Sequence, residues 1–410
     1  MSERYPGGLI RKTAPTVTGP TDGEGGSASG VWKLEDVGYY EEEGGWPKKV
    51  LPRELYTAGD NDHGQLGHND QGTTTTHRSS PVQVGSLTTW DTGNCAQGYA
   101  ACLKTDGTLW TWGVNNQGQL GHNDKVDRSS PVQVGALTTW SKVTTASDSC
   151  LAIKTDGTLW SWGRSLFGVT GHNNTTKISS PIQVGSLTTW SELNAGDNHC
   201  LAVKTDGTLW SWGFGNPGCL GHNDIISRSS PVQVGSNTDW AKVGGSNQET
   251  WATTTGGELY AFGANTFGQL GVGDNTYRSS PVQVGALTTW SVPRGTGDNH
   301  MRALKTDGTL WAAGINSSGQ LGNNTTDNAN SPVQSGTDTD WATVGEGVVG
   351  IATKTNGTIW TWGRNASGAA GQGDVENISS PTQLGSDTTW SKGNSSNVNN
   401  DVMSLFFTKG

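Results

Sequence analysis

A motif of about 50 residues recurs seven times along this chain, and this repeat limits the possible folds more than any other feature of the sequence. The proline of Ser-Ser-Pro-Val-Gln-Val-Gly, or of its variants, falls at positions 81, 131, 181, 231, 281, 332 and 381. Successive prolines are therefore 49 to 51 residues apart. A period of this length indicates a propeller or another repeat architecture, in which each unit buries its faces against its neighbours.

Each copy predicts four short strands. In one copy the first strand begins at Trp140 and tends to alternate between apolar and polar residues, as a half-buried strand does. The second strand is the apolar run from Cys150. An Asp-Gly pair then indicates a tight hairpin, because glycine readily adopts positive φ. The third strand, from Thr158, is rich in β-formers. The fourth opens at Pro181, which suits an outer edge because proline has no N–H for the ladder.

The expected fold is therefore all-β, a seven-bladed β-propeller of four-stranded antiparallel blades over residues 54–410. The last copy stops at its hairpin glycine, and its missing continuation matches the sequence that starts at Glu54. We predict that one seam blade takes its first two strands from about 390–409 and its last two from about 54–84. Such closure removes a free sheet edge. The residues expected to close the ring are Leu55, Tyr56, Leu405, Phe406 and Phe407.

The motifs NNQGQLG, AGDNHCLAVKTDGTLWSWG and SSPVQVG resemble the repeat of the regulator of chromosome condensation family, over about residues 54–410. The resemblance implies a seven-bladed propeller. It also raises the family's founding activity, nucleotide exchange on a small nuclear GTPase with docking to chromatin. The even spacing leaves no room for the wedge-like insertion of that exchange factor, and residues 35–43 are acidic where the chromatin contact is a basic tail.

Charge and motif content argue against several other classes of protein. The net charge of −10 disfavours a nucleic-acid partner, since phosphates require clustered Lys and Arg. No apolar run reaches the roughly 18 residues of a membrane-spanning helix, so membrane insertion is not expected. The five cysteines lack metal-site spacing, and the sequence has no recognisable catalytic motif. We therefore expect no enzyme activity, no catalytic residues and no cofactor.

Histidines recur at two positions of the repeat. One type occurs in the Leu-Gly-His-Asn motif or its variant in four copies, one His in each, so these residues belong to separate blades and lie too far apart to share a metal ion. A second type follows Gly-Asp-Asn at the entry to the second strand. We interpret both types as structural and expect no metal site. The residues are His68, His122, His172 and His222 for the first type, and His199 and His300 for the second.

Tryptophans suggest a carbohydrate-binding surface, because exposed aromatic rings stack on sugars. The Trp pairs of the third strands, such as Trp160 and Trp162, favour packing between blades instead. The Trp that opens each first strand lies at a strand entrance, where partial exposure is expected. These candidate recognition residues are Trp90, Trp140, Trp190, Trp240, Trp290, Trp341 and Trp390. Loops that differ between copies, at 125–127, 165–167 and 225–227, are the other candidates.

Residues 1–53 lack the repeat and are predicted to form an extended attachment arm, rich in Gly, Pro, Ser and Thr. YPGGLIRKT followed by ASGVWKLEDVGYY resembles the N-terminal segment of structural proteins from marine tailed bacteriophages. That resemblance implies attachment to a virion. The expected attachment residues are Tyr5, Pro6, Gly7, Gly8, Leu9, Ile10, Arg11, Val31, Trp32 and Leu34.

Three functions follow from these observations. The leading hypothesis is a non-enzymatic phage virion protein, either a head decoration or a tail or fibre component, assembled in the host cytoplasm. Its partners would be other virion proteins through the arm, and a host-surface glycan or protein. The alternatives are a carbohydrate-binding propeller and, least favoured, a guanine-nucleotide exchange factor.

Overall fold

The computed structural model describes residues 3–5, 8–10, 53–70, 76–297, 299–396 and 402–409. The chain divides into two units, one comprising Met1–Pro52 with Gly410 and the other Arg53–Lys409. In the first unit, strand Glu3–Tyr5 pairs antiparallel with strand Gly8–Ile10. Four predicted attachment residues, Tyr5, Gly8, Leu9 and Ile10, belong to these strands. The other six, Pro6, Gly7, Arg11, Val31, Trp32 and Leu34, lie outside the described residues.

The described part of the second unit contains seven four-stranded antiparallel sheets, which confirms the predicted propeller. The first strands are Trp90–Ala96, Trp140–Thr145, Trp190–Ala195, Trp240–Gly245, Trp290–Gly295, Trp341–Val344 and Trp390–Ser395. The second strands are Tyr99–Lys104, Ser149–Lys154, His199–Lys204, Glu249–Thr254, His300–Lys305, Val349–Lys354 and Met403–Thr408. The third strands are Leu109–Gly113, Leu159–Gly163, Leu209–Gly213, Leu259–Gly263, Leu310–Gly314, Ile359–Gly363 and Leu55–Gly59. The fourth strands are Arg128–Gln133, Ile178–Gln183, Arg228–Gln233, Arg278–Gln283, Ala329–Gln334, Ile378–Gln383 and Arg78–Gln83.

The blades are numbered in chain order: the sheets that start at Trp90, Trp140, Trp190, Trp240, Trp290 and Trp341 are blades 1 to 6. The sheet that joins Trp390–Ser395 and Met403–Thr408 to Leu55–Gly59 and Arg78–Gln83 is the seam blade. First strands of neighbouring blades contact each other around the axis, so the fourth strands form the outer rim. Because the strands alternate in direction, the turns after the first and third strands share one side, called here the loop face.

The seam blade has the predicted composition. Its third strand pairs with the C-terminal strand in the register Leu55 to Phe407, Tyr56 to Phe406 and Thr57 to Leu405. Five of these six residues are buried, and the sixth, Tyr56, is half-buried. The C-terminal strand therefore lies in the middle of a sheet and holds both ends of the ring together.

The Lys-Thr-Asp-Gly-Thr-Leu-Trp motif folds into a hairpin stabilised by its own side chains. The Asp156 carboxylate accepts hydrogen bonds from Thr158 N and Oγ1 at 3.0 and 2.6 Å. Thr158 Oγ1 in turn accepts from Trp160 Nε1 at 2.8 Å. The Lys154 ammonium lies 3.5 Å from the Trp160 ring centroid and 5.0 Å from that of Trp140, in cation–π contact with both indoles. The motif therefore ties the hairpin between the second and third strands to the Trp that opens the first strand of the same blade.

Blade 4 and the seam blade replace this arrangement as a set. Both carry Thr, Glu and Tyr where the other blades carry Lys, Thr and Trp. In the seam blade, Thr408 Oγ1 accepts from Glu54 N at 2.7 Å, and Tyr56 donates its hydroxyl to the Glu54 carboxylate at 2.8 Å. In blade 4, the Thr254 hydroxyl donates to Glu258. Loss of the lysine thus accompanies loss of the indole that it contacts.

The fourth strands start earlier than predicted. The strand of blade 2 begins at Ile178, three residues before Pro181. Its register passes from the Ser161–Ile182 pair to the Gly163–Ile178 pair, so the proline falls within an irregular stretch of an outer strand. Proline is tolerated there because the ladder requires no N–H from it.

Candidate functional site

A buried polar cluster on the ring axis joins blades that are far apart in sequence. The Glu346 carboxylate accepts a hydrogen bond from Asn94 Nδ2 and another from Asn194 Nδ2, each at 2.7 Å. Arg294 Nη1 lies 3.3 Å from Glu346 Oε1. Asn394 Oδ1 accepts from Glu346 N at 3.0 Å, and its Nδ2 donates to Gly93 O. This axial cluster connects five blades at Glu346, four of them through its carboxylate and the seam blade through its backbone N–H.

Sequence analysis missed the axial cluster, although the repeat contains its signal. Asn94, Asn194, Arg294 and Asn394 all lie four residues after the Trp that opens a first strand. Glu346 lies five residues after Trp341, in the shortened turn before Val349. Because no single copy shows more than one of these residues, only superposition of all copies would have revealed them.

The Leu-Gly-His histidines have a structural role in their own blades. Thr111 donates its hydroxyl to Leu120 O at 2.7 Å, and its oxygen lies 3.0 Å from His122 Nε2. The single hydroxyl proton goes to the carbonyl, so His122 donates from Nε2 to this oxygen. Burial lowers the pKa of His122 to about 4, and the ring is therefore neutral at pH 7. The same pattern holds for His68, His172 and His222.

The tryptophans that open the first strands are buried, so the expectation that they are partly exposed was wrong. Their exposed fraction is 1 to 6% for Trp90, Trp140, Trp190, Trp240, Trp290, Trp341 and Trp390. The Trp140 ring packs edge-on against Trp160 at 6.0 Å and near Trp162 at 6.1 Å. The Trp that opens the first strand therefore packs on the third strand of its own blade and is shielded from solvent. The half-buried ring in each such pair is the first Trp of the third strand, as at Trp160.

The variable loop 165–167 packs against the neighbouring blade on the loop face. Phe167, from the short 3-10 turn Leu166–Gly168 of blade 2, packs on Phe214 of blade 3 at a centroid distance of 4.5 Å. Ile225 and Ile226, in the loop that follows, are 59% and 63% exposed. We call Leu166, Phe167, Phe214, Ile225 and Ile226 the apolar patch. The third variable loop, 125–127, belongs to blade 1 and exposes Val126.

Acidic side chains from three neighbouring turns lie close together on the loop face. Asp148, Asp197 and Glu249 each precede or open the second strand of blades 2, 3 and 4. Burial, then the charges of Glu249 and Asp148, raise the pKa of Asp197 to about 7. Burial raises the pKa of Glu249 to about 6, although Gln269 Nε2 donates to its carboxylate at 2.8 Å. Burial lowers the pKa of His199 to about 4.

Among the residues that the structure describes, no group of three or more His, Cys, Asp or Glu is placed to hold a metal ion. Within the same residues, no helix has the length and apolar character needed to cross a membrane. A model of the RCC1-like domain matches residues 54–399.

The chain belongs to the RCC1-like domain family. Solved structures share the fold of this RCC1-like domain at low sequence identity. Prp20p from Saccharomyces cerevisiae has a TM-score of 0.77 and 17% identity, with 88% of this chain and 92% of Prp20p covered. Human WBSCR16 has a TM-score of 0.75 and 18% identity, with 87% and 99% covered. Both likenesses concern the fold alone.

The curated relatives of this RCC1-like domain match only a small segment. The E3 ubiquitin-protein ligase HERC2 of Homo sapiens is 32% identical over 80 residues, which are 18% of this chain. HERC2 of Mus musculus matches to the same extent. The chain spans about 2% of the length of these relatives. Membership of the family therefore establishes the architecture, and the function has to be inferred from the chain's own residues.

The acidic turns of this RCC1-like domain predict lower stability at mildly alkaline pH. Asp and Glu titrate near pH 4 in an unfolded chain, so between about pH 4 and 7 the folded state holds more protons at Asp197 and Glu249. Their contribution to stability is lost as pH rises through the folded pKa values of about 7 and 6. His199 acts in the opposite direction, because its lowered pKa costs stability below about pH 6.5.

We therefore expect the melting temperature to fall between pH 6 and pH 8, and Asp197→Asn to remove most of that fall. Differential scanning fluorimetry across this range measures the effect. Glu376→Gln, at an exposed loop residue, is the matched control and should keep the wild-type profile. An Asp197→Asn profile that is parallel to the wild type would contradict the assignment.

Proposed function

We propose that this RCC1-like domain protein is a non-enzymatic structural protein of a phage virion, as a head decoration or a tail or fibre component. Residues 1–53 would attach it to other virion proteins, and the propeller would be displayed for particle stability or host-surface contact. The observation that carries this proposal is the similarity of YPGGLIRKT and ASGVWKLEDVGYY to phage structural leaders. Assembly would occur in the host cytoplasm, without nucleic-acid binding or membrane insertion.

The propeller has properties that suit display. The seam blade joins the two ends of the ring within one sheet, and the axial cluster ties five blades to Glu346. Both features resist local opening, which a particle surface requires. The apolar patch is an exposed hydrophobic surface of a kind that commonly marks a contact with another protein. The apolar patch therefore supports the binding of another protein on the loop face near blades 2 and 3.

Mass spectrometry of purified particles tests the proposal. Particles of the phage that encodes this chain, purified through a density gradient, should contain the protein at an abundance comparable to other structural components. The soluble fraction of the same lysate is the control for expression. Presence in the lysate together with absence from intact particles would contradict the proposal.

A second candidate function, carbohydrate binding, is supported by a different observation. A cleft with aromatic and amide side chains opens between blades 4 and 5.

The structural neighbour Prp20p has binding properties toward Gsp1p and histones, and these concern Prp20p itself.

A further inference from the structure

Two adjoining hollows open between blades 4 and 5, beside the outer strand Ala329–Gln334. The first has a volume of about 250 Å³, and its walls include Val272, Trp290, Trp311 and Pro332. We call it the aromatic hollow. The second, of about 360 Å³, is lined by Thr266 and Phe267 and by three amides, Asn275, Asn328 and Asn330, and is called here the amide hollow. Ser331 lines both, so together they form one continuous cleft.

The cleft exists because this boundary departs from the repeat at several positions. Four other copies carry His-Asn where this one carries Val272 and Gly273. The fourth strand of blade 5 has Ala329 and Asn330 where the other copies have Arg or Ile and then Ser. Ala313 stands where blades 1, 2, 3 and 6 place a Trp that packs against the preceding loop. Apart from Asn330, which stands in place of a smaller Ser, smaller side chains thus replace larger ones on both sides of the same boundary.

Backbone and side-chain bonds hold the cleft open. Gly273 N donates to Asn330 O at 2.7 Å, and Asn330 Nδ2 donates to Gly273 O at 3.2 Å. These two bonds fix Asn330 against Gly273 where the two hollows meet. The Trp311 ring is held by the Lys305 ammonium, 3.7 Å from its centroid, and by its Nε1 bond to Thr309 Oγ1 at 2.8 Å. A half-buried indole is therefore presented in one orientation.

We propose that this cleft binds a neutral oligosaccharide, with one pyranose ring on Trp311 and the next sugar unit among the amides. A hollow of about 250 Å³ accommodates a single ring, which would pack its C–H face on the part of the Trp311 indole that lines the hollow and is not covered by the Lys305 ammonium. Asn275, Asn328 and Asn330 provide amides that both donate and accept, which matches sugar hydroxyls. The lining residues include no carboxylate, and their one cation, Lys305, is engaged with the indoles, so charge favours a neutral ligand.

The proposal gives a chemical class to the host-surface contact of the displayed propeller, and it rests on the proposed function for that biological role. Binding itself depends only on the propeller. A purified protein that binds no glycan would therefore leave the particle analysis unaffected, and a protein absent from particles could still bind sugar. The two failures are distinguishable.

An array of neutral oligosaccharides of glucose, galactose, mannose and N-acetylglucosamine, probed with the full-length protein, tests the proposal. Hits are then titrated by tryptophan fluorescence and calorimetry. The main variant, V272H/A329R/N330S, closes the cleft with side chains that other copies carry at the same positions, so the fold should be retained. Trp311→Ala removes the proposed stacking surface. Trp160→Ala is the matched control, because the equivalent boundary retains His122 and Ser179.

We expect the wild type and Trp160→Ala to bind the same glycan with equal affinity. The closed variant and Trp311→Ala should bind at least about tenfold more weakly, which is the loss of a single good contact. Circular dichroism and melting curves check that the closed variant is folded. Three results would overturn the proposal: an array without any neutral ligand, a ligand bound equally by the folded closed variant, or binding restricted to acidic glycans or peptides.

Discussion

Deletion of residues 403–410 is expected to abolish cooperative folding of the propeller. The strand Met403–Thr408 is buried along its whole length and pairs with both Trp390–Ser395 and Leu55–Gly59. Its removal would leave Trp390–Ser395 without a partner, would free one edge of Leu55–Gly59, and would expose the faces of blades 1 and 6 at the seam. The loss would exceed the roughly 5–15 kcal/mol that stabilises a typical domain. Circular dichroism melting and size-exclusion chromatography should show an aggregated or non-cooperative species.

A point variant gives a graded version of the same test. Phe406 is fully buried and packs against Trp390 at a ring distance of 6.1 Å. Phe406→Ala should lower the free energy of unfolding by about 3–5 kcal/mol, through lost burial and the remaining cavity. Leu87→Ala, in an exposed linker, is the control and should change it by less than about 0.5 kcal/mol. A truncated chain with an unchanged melting temperature would refute closure through the seam blade.

Replacement of Glu346 by Ala is the second change with a large expected effect. The axial cluster would retain Arg294, Asn94 and Asn194 without the carboxylate that they contact. Loss of the carboxylate leaves the buried amides of Asn94 and Asn194 without this acceptor, and each buried donor left unsatisfied costs about 1–3 kcal/mol. Urea unfolding curves of Glu346→Ala and the wild type measure the difference. Glu346→Gln, which keeps the shape and one acceptor, should fall between them.

A surface acid provides the comparison for this prediction. Asp327 lies in an exposed loop of blade 5 and has the same formal charge as Glu346. Asp327→Ala should be within about 0.5 kcal/mol of the wild type. Equal stability of Glu346→Ala and Asp327→Ala would show that the axial cluster makes no net contribution to the ring.

The architecture was predictable because each copy carries complete local signals. Strand runs, the hairpin glycine and the outer proline all fall within 50 residues, and seven copies repeat them. The unfinished copy at Leu405 and its continuation at Leu55 then predict the seam blade by simple alignment. Strand ends were less predictable: the fourth strand of blade 2 begins before Pro181, because an irregular outer ladder tolerates the proline.

Features created by neighbouring blades could not be predicted from one copy. Trp140 was expected to be partly exposed, but it is buried in one core cluster with Leu103, Leu109 and Val134 of blade 1. The axial cluster combines single residues from five blades. The apolar patch was foreseen only in part, as the variable loops 165–167 and 225–227, since nothing in either loop shows that Phe167 packs on Phe214 of the next blade.

The cleft between blades 4 and 5 shows how departures from a repeat acquire meaning in the fold. Val272, Ala313 and Asn330 each look like drift in their own copies. The propeller brings them to one boundary, because the loop of each blade packs against the outer strand of the next. Comparison of all copies by structural position is therefore a more sensitive test for sites than comparison by motif.

Attachment through residues 1–53 is the central claim of the proposed function, and its most direct measurement is the protein content of particles from two phage strains. One strain encodes the full chain and the other lacks residues 2–53. Quantitative mass spectrometry of gradient-purified particles should find the protein in the first strain alone, with the shortened propeller folded and soluble in the lysate of the second. Equal incorporation of the shortened protein, or its absence from the particles of both strains, would contradict the claim.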